Sequence, residues 1–203
     1  MKHLRPALLL TLFFVVLTGL AFPVVVWGLG RTLFPDAARG SLLRDAQGTV
    51  IGSSLLGQAF SRPEYFHPRP SAAGAGYDAA NSGGTNLGPT SDKLVNGLGD
   101  GSFSGFRELA AQYRAENGLA PDTLIPADAA TRSASGLDPD ISPGNAHLQS
   151  ARVARARGLA PEQVEALVAA HTIGRTLGLF GEPRVNVLKL NVALDTLAAE
   201  TRR

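Results

Sequence analysis

Apolar and polar positions fall along this chain in two regimes. From Pro6 to Gly30 the run PALLLTLFFVVLTGLAFPVVVWGLG holds 25 residues with no ionisable side chain and no polar face at helical spacing. As a helix it would be roughly 37 Å long, enough for a hydrocarbon core of about 30 Å with some tilt. A helix also satisfies its own backbone hydrogen bonds, as a bilayer requires. Pro23 removes one donor and predicts a kink between Gly19 and Pro23, while Trp27 and Phe34 suit the far interface. A core helix of this kind would ask a 203-residue chain to cover an all-apolar rod. A cleaved signal peptide fits the basic start and the small residues around Gly19–Ala21, but the run stays apolar past Ala21. The expected layout is a cytoplasmic tail at 1–5, a transmembrane helix at 6–30, a juncture at 31–40 and a soluble domain at 41–203.

Beyond Gly40 apolar residues come in short groups. SLLR and TVIGSSLLG read as a hairpin turning at Asp45–Gly48. The stretch from Phe60 to Leu94 is too rich in Gly, Pro, Ser and Asn for a long element, yet it carries Phe60, Tyr65, Phe66, His67 and Tyr77, so an ordered loop pinned by aromatics is expected. Residues 96–105 read as a mobile glycine-rich loop. A helix over 106–117, capped by Ser104 and stopped by Gly118, shows Leu109, Ala110 and Tyr113 on one stripe. Ser142 followed by Pro143 starts another that ends before Gly158, with Gln149, Arg152, Val153 and Ala156 on one face. That face predicts either a buried or partner-facing Gln–Arg pair or a solvated basic helix end. PEQVEALVAAHT repeats Val164, Leu167, Val168 and His171 at i, i+3, i+4 and i+7. Val185–Leu188 reads as a strand and Leu190–Ala198 as a closing helix. The fold class is therefore one N-terminal transmembrane helix plus a soluble α/β (α+β) domain, a small sheet flanked by three to five helices.

Charge narrows the function. The formal net charge of +2 equals the contribution of Lys2 and Arg5, so residues 31–203 are neutral. Nucleic acid, which needs clustered positive charge, is disfavoured as a partner. Without cysteine there is no thiol nucleophile or thiolate metal site, and the four histidines follow no HxxxH or HExxH spacing. Lys2 and Arg5 precede the span while Arg31, Arg39 and Arg44 follow it beside Asp36 and Asp45, a nearly balanced count. A short basic tail normally stays inside while a long domain is translocated, which gives an N-in, C-out arrangement.

Candidate chemistry is sparse. Asn81–Asn86 could aim several backbone N–H groups at an anion, or could satisfy a neighbouring backbone, and the Walker spacing is missing. Thr90-x-x-Lys93 resembles a hydroxyl–lysine dyad only by common spacing, and Asp138 and Asp140 are two carboxylates in a turn with no evident base. No catalytic or metal-binding residue is assigned.

An ordered set of short motifs resembles the KdpC family, the C subunits of the bacterial high-affinity potassium-transporting P-type ATPase (the KdpFABC complex). It begins with Leu4-Arg5-Pro6-Ala7 leading into the span, then Gly40-Ser41-Leu42, Ile51-Gly52-Ser53 and Gly57-Gln58. Tyr65-Phe66-His67, Arg69-Pro70-Ser71-Ala72, Tyr77-Asp78 and Ser82-Gly83-Gly84-Thr85-Asn86-Leu87 follow. The second half matches at Ser135-Gly136-Leu137-Asp138, Ile141-Ser142-Pro143, Gln149 with Arg152-Val153-Ala154, Val185-Asn186-Val187-Leu188 and Leu190-Asn191. Thr85, Ala134 and Ser150-Ala151 depart from the usual residues, as does the glycine-rich stretch near 96–105.

The resemblance implies a single-pass inner-membrane subunit, not an enzyme by itself, acting beside a potassium-translocating subunit, a P-type ATP-hydrolysing subunit and a small single-span subunit. It implies a catalytic chaperone that raises the pump's ATP affinity. It also implies a nucleotide-sensing or interface role for Ser82, Gly83, Gly84, Asn86, Ser135, Gly136, Asp138, Gln149 and Arg152. ATP is then a possible ligand, and K+ is carried by the partner subunit. An external domain could reach cytoplasmic ATP only indirectly, through the translocating subunit. The alternatives are an external cap at the potassium entrance, where Asp138 and Asp140 would form a weak cation funnel, or a stand-alone anchored hydrolase.

Overall fold

The computed structural model describes residues 2–45 and 47–201. The chain divides into two units, one ending at Ser53 and the other starting at Ser54. In the first, α1 (Leu4–Val16), a π-helical turn (Leu17–Ala21) and α2 (Phe22–Leu33) run on as one exposed apolar helix, long and apolar enough to cross a membrane. The irregularity expected near Pro23 takes the form of a widened turn. Pro23 has no N–H to return to the Gly19 carbonyl, and i→i+5 geometry absorbs that loss. Arg31 lies 5.2 Å from the Trp27 ring at the far end.

A short α3 (Pro35–Ala38) leads into the antiparallel pair β1 (Leu42–Arg44) and β2 (Val50–Ser53). Asp45 holds the turn by accepting the Gln47 and Thr49 amides at 3.0 and 2.8 Å, while Ala46 lies outside the described residues. The second strand stops at Ser53, short of the expected Gly57, where the Ser53 hydroxyl donates to the Gly40 carbonyl at 2.7 Å.

The second unit carries α4 (Asp92–Asn96), α5 (Phe106–Asn117), α6 (Ala127–Ala130), α7 (Pro143–Arg157), α8 (Pro161–Ala170) and α9 (Val187–Thr201). A small antiparallel sheet joins β3 (Asp140–Ile141), β5 (Arg184–Asn186) and β4 (Thr172–Ile173) in that spatial order. Phe66, Ile141, Ala146, Val153, Val164, Val185, Leu190 and Leu194 form the centre of its core. The small sheet and several helices match the expected class, with strands of two or three residues too short to show alternation in the sequence.

Several local expectations change. Val187 and Leu188 belong to α9, because the Asn186 side chain accepts the Lys189 amide at 3.1 Å and caps the helix there. The N-cap of α5 is Gly105, whose amide donates to Glu108 at 3.3 Å, while the Ser104 carbonyl instead accepts from Arg132 at 2.8 Å. Helix α8 ends at Ala170, and His171 closes it with Nδ1 2.9 Å from the Leu167 carbonyl. On α7, Gln149, Arg152 and Val153 are buried as a face, but Ala156 is exposed. The glycine-rich stretch is a hydrogen-bonded turn, in which Leu98 donates to the Phe103 carbonyl at 2.8 Å. Lys93 and Arg132 sit 4.9 and 4.3 Å from the Phe103 ring.

Candidate functional site: a loop pair and a buried amide–guanidinium cluster

The residues singled out in the sequence fall into two regions. The first is a pair of turns, 82–86 and 133–138. Gly83 donates its amide to the Ser135 carbonyl at 2.9 Å, and the Ser82 hydroxyl donates to the same oxygen at 2.8 Å. Ser133 stiffens its own turn, its hydroxyl accepting the Gly136 and Asp138 amides at 3.0 and 3.4 Å. Ser71 fastens a third segment by donating to the Gly136 carbonyl at 2.7 Å. Gly136 is obligatory here: its φ is +69°, and a Cβ would lie 2.6 Å from the Ala73 Cβ and 2.8 Å from the Gly83 carbonyl. Gly84 allows an equally close approach, 2.6 Å from such a Cβ to the Ala134 carbonyl.

These bonds decide between the two readings of the Asn81–Asn86 stretch for Gly83, whose amide is taken by a neighbouring backbone. Asn86 (φ 53°) is exposed at the edge of the pair. Asp138 is held by Arg69 at 2.7 Å and accepts the Asp140 amide at 3.0 Å. Asp140 faces Arg184 at 3.1 Å and accepts from Asn186 at 3.2 Å, and burial pushes its carboxyl above the usual carboxylate range. Each carboxylate thus has an arginine, which removes the free negative field a cation funnel needs. A groove of about 570 Å³ beside the turns is lined by Arg69, Ser82, Ser135 and Asp138.

The second region is built on α7. Gln149 and Arg152 are 1% and 5% exposed. The Gln149 Oε1 accepts the His67 amide at 2.7 Å and an Arg152 N–H at 2.8 Å. Its Nε2 donates to the His67 carbonyl at 3.0 Å and to Asn145 at 2.8 Å. Two donors and two acceptors exhaust the amide. Arg152 donates to the Pro63 and Tyr65 carbonyls and, at 3.0 Å, to Asn117. From α9, Asn191 closes the other side of this segment, accepting the Phe66 amide at 2.9 Å and donating to the Phe66 carbonyl at 3.0 Å. Residues 63–67, a turn running into an irregular segment, are therefore held by side-chain amides and a guanidinium, in addition to the buried Phe66 ring.

Behind it, Tyr113 donates to Asn145 at 2.8 Å, and Asn145 and Ser142 both bond Asp128. Burial lowers the Arg152 pKa and raises that of Tyr113. Tyr113, Asn117, Asp128, Asn145 and Asn191 belong to this polar core, although the sequence marks only Tyr113, as part of an apolar stripe, and Asn191, as part of a motif. A groove of about 350 Å³ opens next to it, lined by His67, Arg69, Tyr77 and Glu116. There His67 Nδ1 lies 3.6 Å from Glu116, while burial and the Arg152 charge lower the imidazole pKa. Segment 67–71 joins the regions: Gln149 holds His67, and Arg69 holds Asp138. Thr90 is exposed, and Lys93 rests on Phe103. Among the described residues no group of three or more His, Asp or Glu could hold a metal.

Comparison with known proteins bears on the whole chain. The sequence model of KdpC, described as "K+-transporting ATPase, c chain", matches residues 4–196. A protein of Caulobacter vibrioides (strain NA1000 / CB15N) named potassium-transporting ATPase KdpC subunit is 54% identical over 195 residues, 96% of this chain and 93% of that one. Its namesake in Mycobacterium tuberculosis (strain ATCC 25618 / H37Rv) is 52% identical over 196 residues, covering 97% and 99%. A third, from Caulobacter sp. (strain K31), is 52% identical over 197 residues, covering 96% and 94%. With an apolar N-terminal helix, a small-sheet domain and a match of this extent, the chain belongs to the KdpC family of potassium-transporting ATPase subunits.

Proposed function

We propose that this chain is a non-catalytic accessory subunit of an ATP-driven potassium uptake pump, anchored by its Leu4–Leu33 helix with the amino terminus in the cytoplasm and the domain from Ser54 outside. It assembles with the potassium-translocating, ATP-hydrolysing and small single-span subunits. It stabilises their assembly and raises ATP affinity through the translocating subunit, without touching the nucleotide. K+ passes through the partner.

The observation that supports the indirect route is the saturation of Gln149. A buried amide with both donors and both acceptors engaged cannot read an adenine without releasing residues 63–67. The Gly83 amide, which a phosphate would need, is likewise bonded to Ser135. Ser82→Ala in the assembled pump should leave the KM for ATP at the wild-type value, while a pump lacking this chain should bind ATP more weakly. A raised KM for Ser82→Ala in an intact complex, or photolabelling of this chain by an azido-ATP, would overturn the indirect route. Protease added to intact spheroplasts should cleave the domain, and full protection would place it inside.

A further inference from the structure

The widened turn inside the apolar helix leaves a backbone group unanswered. The Phe22 amide donates to the Leu17 carbonyl, one residue past its α-helical partner Thr18. Pro23, the donor that i→i+5 geometry would offer Thr18, has no N–H. Of the two amides a helix presents to the Thr18 carbonyl, one is spent and the other is missing, so the turn passes the deficit from Gly19 back to Thr18. The Thr18 hydroxyl does not make it good, because it donates to the Phe14 carbonyl at 2.6 Å. Thr18 stands exposed at the middle of the 30-residue Leu4–Leu33 helix, and a Cβ built on Gly19 beside it would meet no atom within 4 Å. An acceptor without its amide thus lies on bare backbone at the depth where a bilayer is driest.

Hydrocarbon makes an unanswered carbonyl costly, and lipid tails offer it no donor. Water, which could answer it, is excluded at that depth. A second copy of this chain does not fit either. Laid parallel, it brings the same Thr18 to this level with its hydroxyl already engaged. The other polar side chains between Pro6 and Gly30 are Thr11 and Trp27, about 10 and 13 Å away along the axis. The donor therefore belongs to a membrane helix of a different chain, where an uncharged hydroxyl or amide suffices. Potassium crosses the bilayer in the translocating subunit, and an ion path obliges that subunit to carry polar side chains at mid-depth. We propose that the Thr18 carbonyl is a docking acceptor, bonded at the bilayer centre by a hydroxyl or amide donor of the potassium-translocating subunit, whose helix packs against the bare Gly19 backbone. The proposal rests on the reading of Leu4–Leu33 as the membrane anchor of a pump subunit, and is independent of any effect on ATP.

The test uses the full chain in the assembled pump. A photoreactive benzoylphenylalanine in place of Phe22, one helical turn beyond Thr18, should cross-link to the potassium-translocating subunit in intact membranes. Cross-links confined to another subunit, to lipid or to a second copy of this chain, or none at all, overturn the proposal. Pro23→Ala returns the missing N–H, so a regular helix can answer the Thr18 carbonyl internally. The helix gains a bond, yet retention of the chain in the detergent-purified pump should fall about three- to tenfold, because the partner's bond becomes redundant. A merely structural proline would leave retention unchanged or improve it. If alkaline carbonate strips the wild-type chain from membranes, or wild type fails to co-purify, the anchor or subunit reading itself fails. If wild type is held and Pro23→Ala is retained equally well, only the docking acceptor fails.

Discussion

The loop pair and the amide–guanidinium cluster both fasten segments far apart in sequence, but they do so with different margins. The cluster satisfies buried side-chain groups with one another and with the main chain of residues 63–67, so each member serves several neighbours. The loop pair joins backbone to backbone at a half-exposed rim, where water can replace a lost hydroxyl. What distinguishes them is replaceability. In the cluster side-chain identity decides stability, and in the loop pair backbone clearance does.

Arg152→Ala should break that comparison most severely. It removes the Arg152 donor from the Pro63 and Tyr65 carbonyls and the Asn117 oxygen, and leaves the Gln149 oxygen with the His67 amide alone. A loss of about 3–5 kcal/mol in unfolding free energy is expected, read by denaturant titration of the full chain in detergent. Arg152→Lys should recover little, because a point ammonium cannot span the carbonyls and amides that a planar fork reaches. A loss below about 1 kcal/mol would show that residues 63–67 are held by the Gln149 and Asn191 amides and the Phe66 ring without the guanidinium.

Gly136→Ala comes next, at about 2–4 kcal/mol, from a left-handed φ and overlap with Ala73 and Gly83. Ser82→Ala, on the facing loop of the same pair, should cost about 0.5–1 kcal/mol. If the two losses are equal, the rim is held by its hydroxyls and the distinction from the cluster disappears.

How much of this was legible in the sequence follows from the range of the forces. The apolar helix shows itself residue by residue, since a charge at any position in a hydrocarbon core is costly. Ser142-Pro143 and Pro161 mark helix starts because capping is local. The partners of Gln149 are different: His67 is 82 residues away, and the Asn117–Arg152 bond spans 35. No spacing rule announces such pairs, so a buried Gln–Arg pair and a solvated helix end were equally good readings of α7. Asn186 looked like strand interior because a cap at a strand–helix junction uses the same residue for both.

The smallest expected effect concerns pH and separates the regions by sign. His67 borders the cluster, with its Nε2 3.1 Å from the Arg62 carbonyl and Glu116 at 3.6 Å. Burial and then the Arg152 charge lower its folded-state pKa, outweighing the opposing pull of Glu116 and the Arg62 carbonyl. The unfolded chain therefore binds the proton more readily than the native one. The resulting contribution to stability is complete above the ordinary histidine value of about 6.5 and is lost as pH falls from there through the lowered value. Just beyond the loop pair, on β3, the opposite sign is set by a half-buried carboxylate. Asp140 has a raised pKa, so its protonated form is favoured on folding and its contribution to stability is lost as pH rises through the raised value. Melting temperature should accordingly decline between about pH 7 and 5.5 in wild type, and His67→Gln should flatten that decline while leaving the carboxylate region at lower pH unchanged. A slope of opposite sign between pH 7 and 5.5 would mean that Glu116 governs the imidazole, and that the buried guanidinium is screened from it.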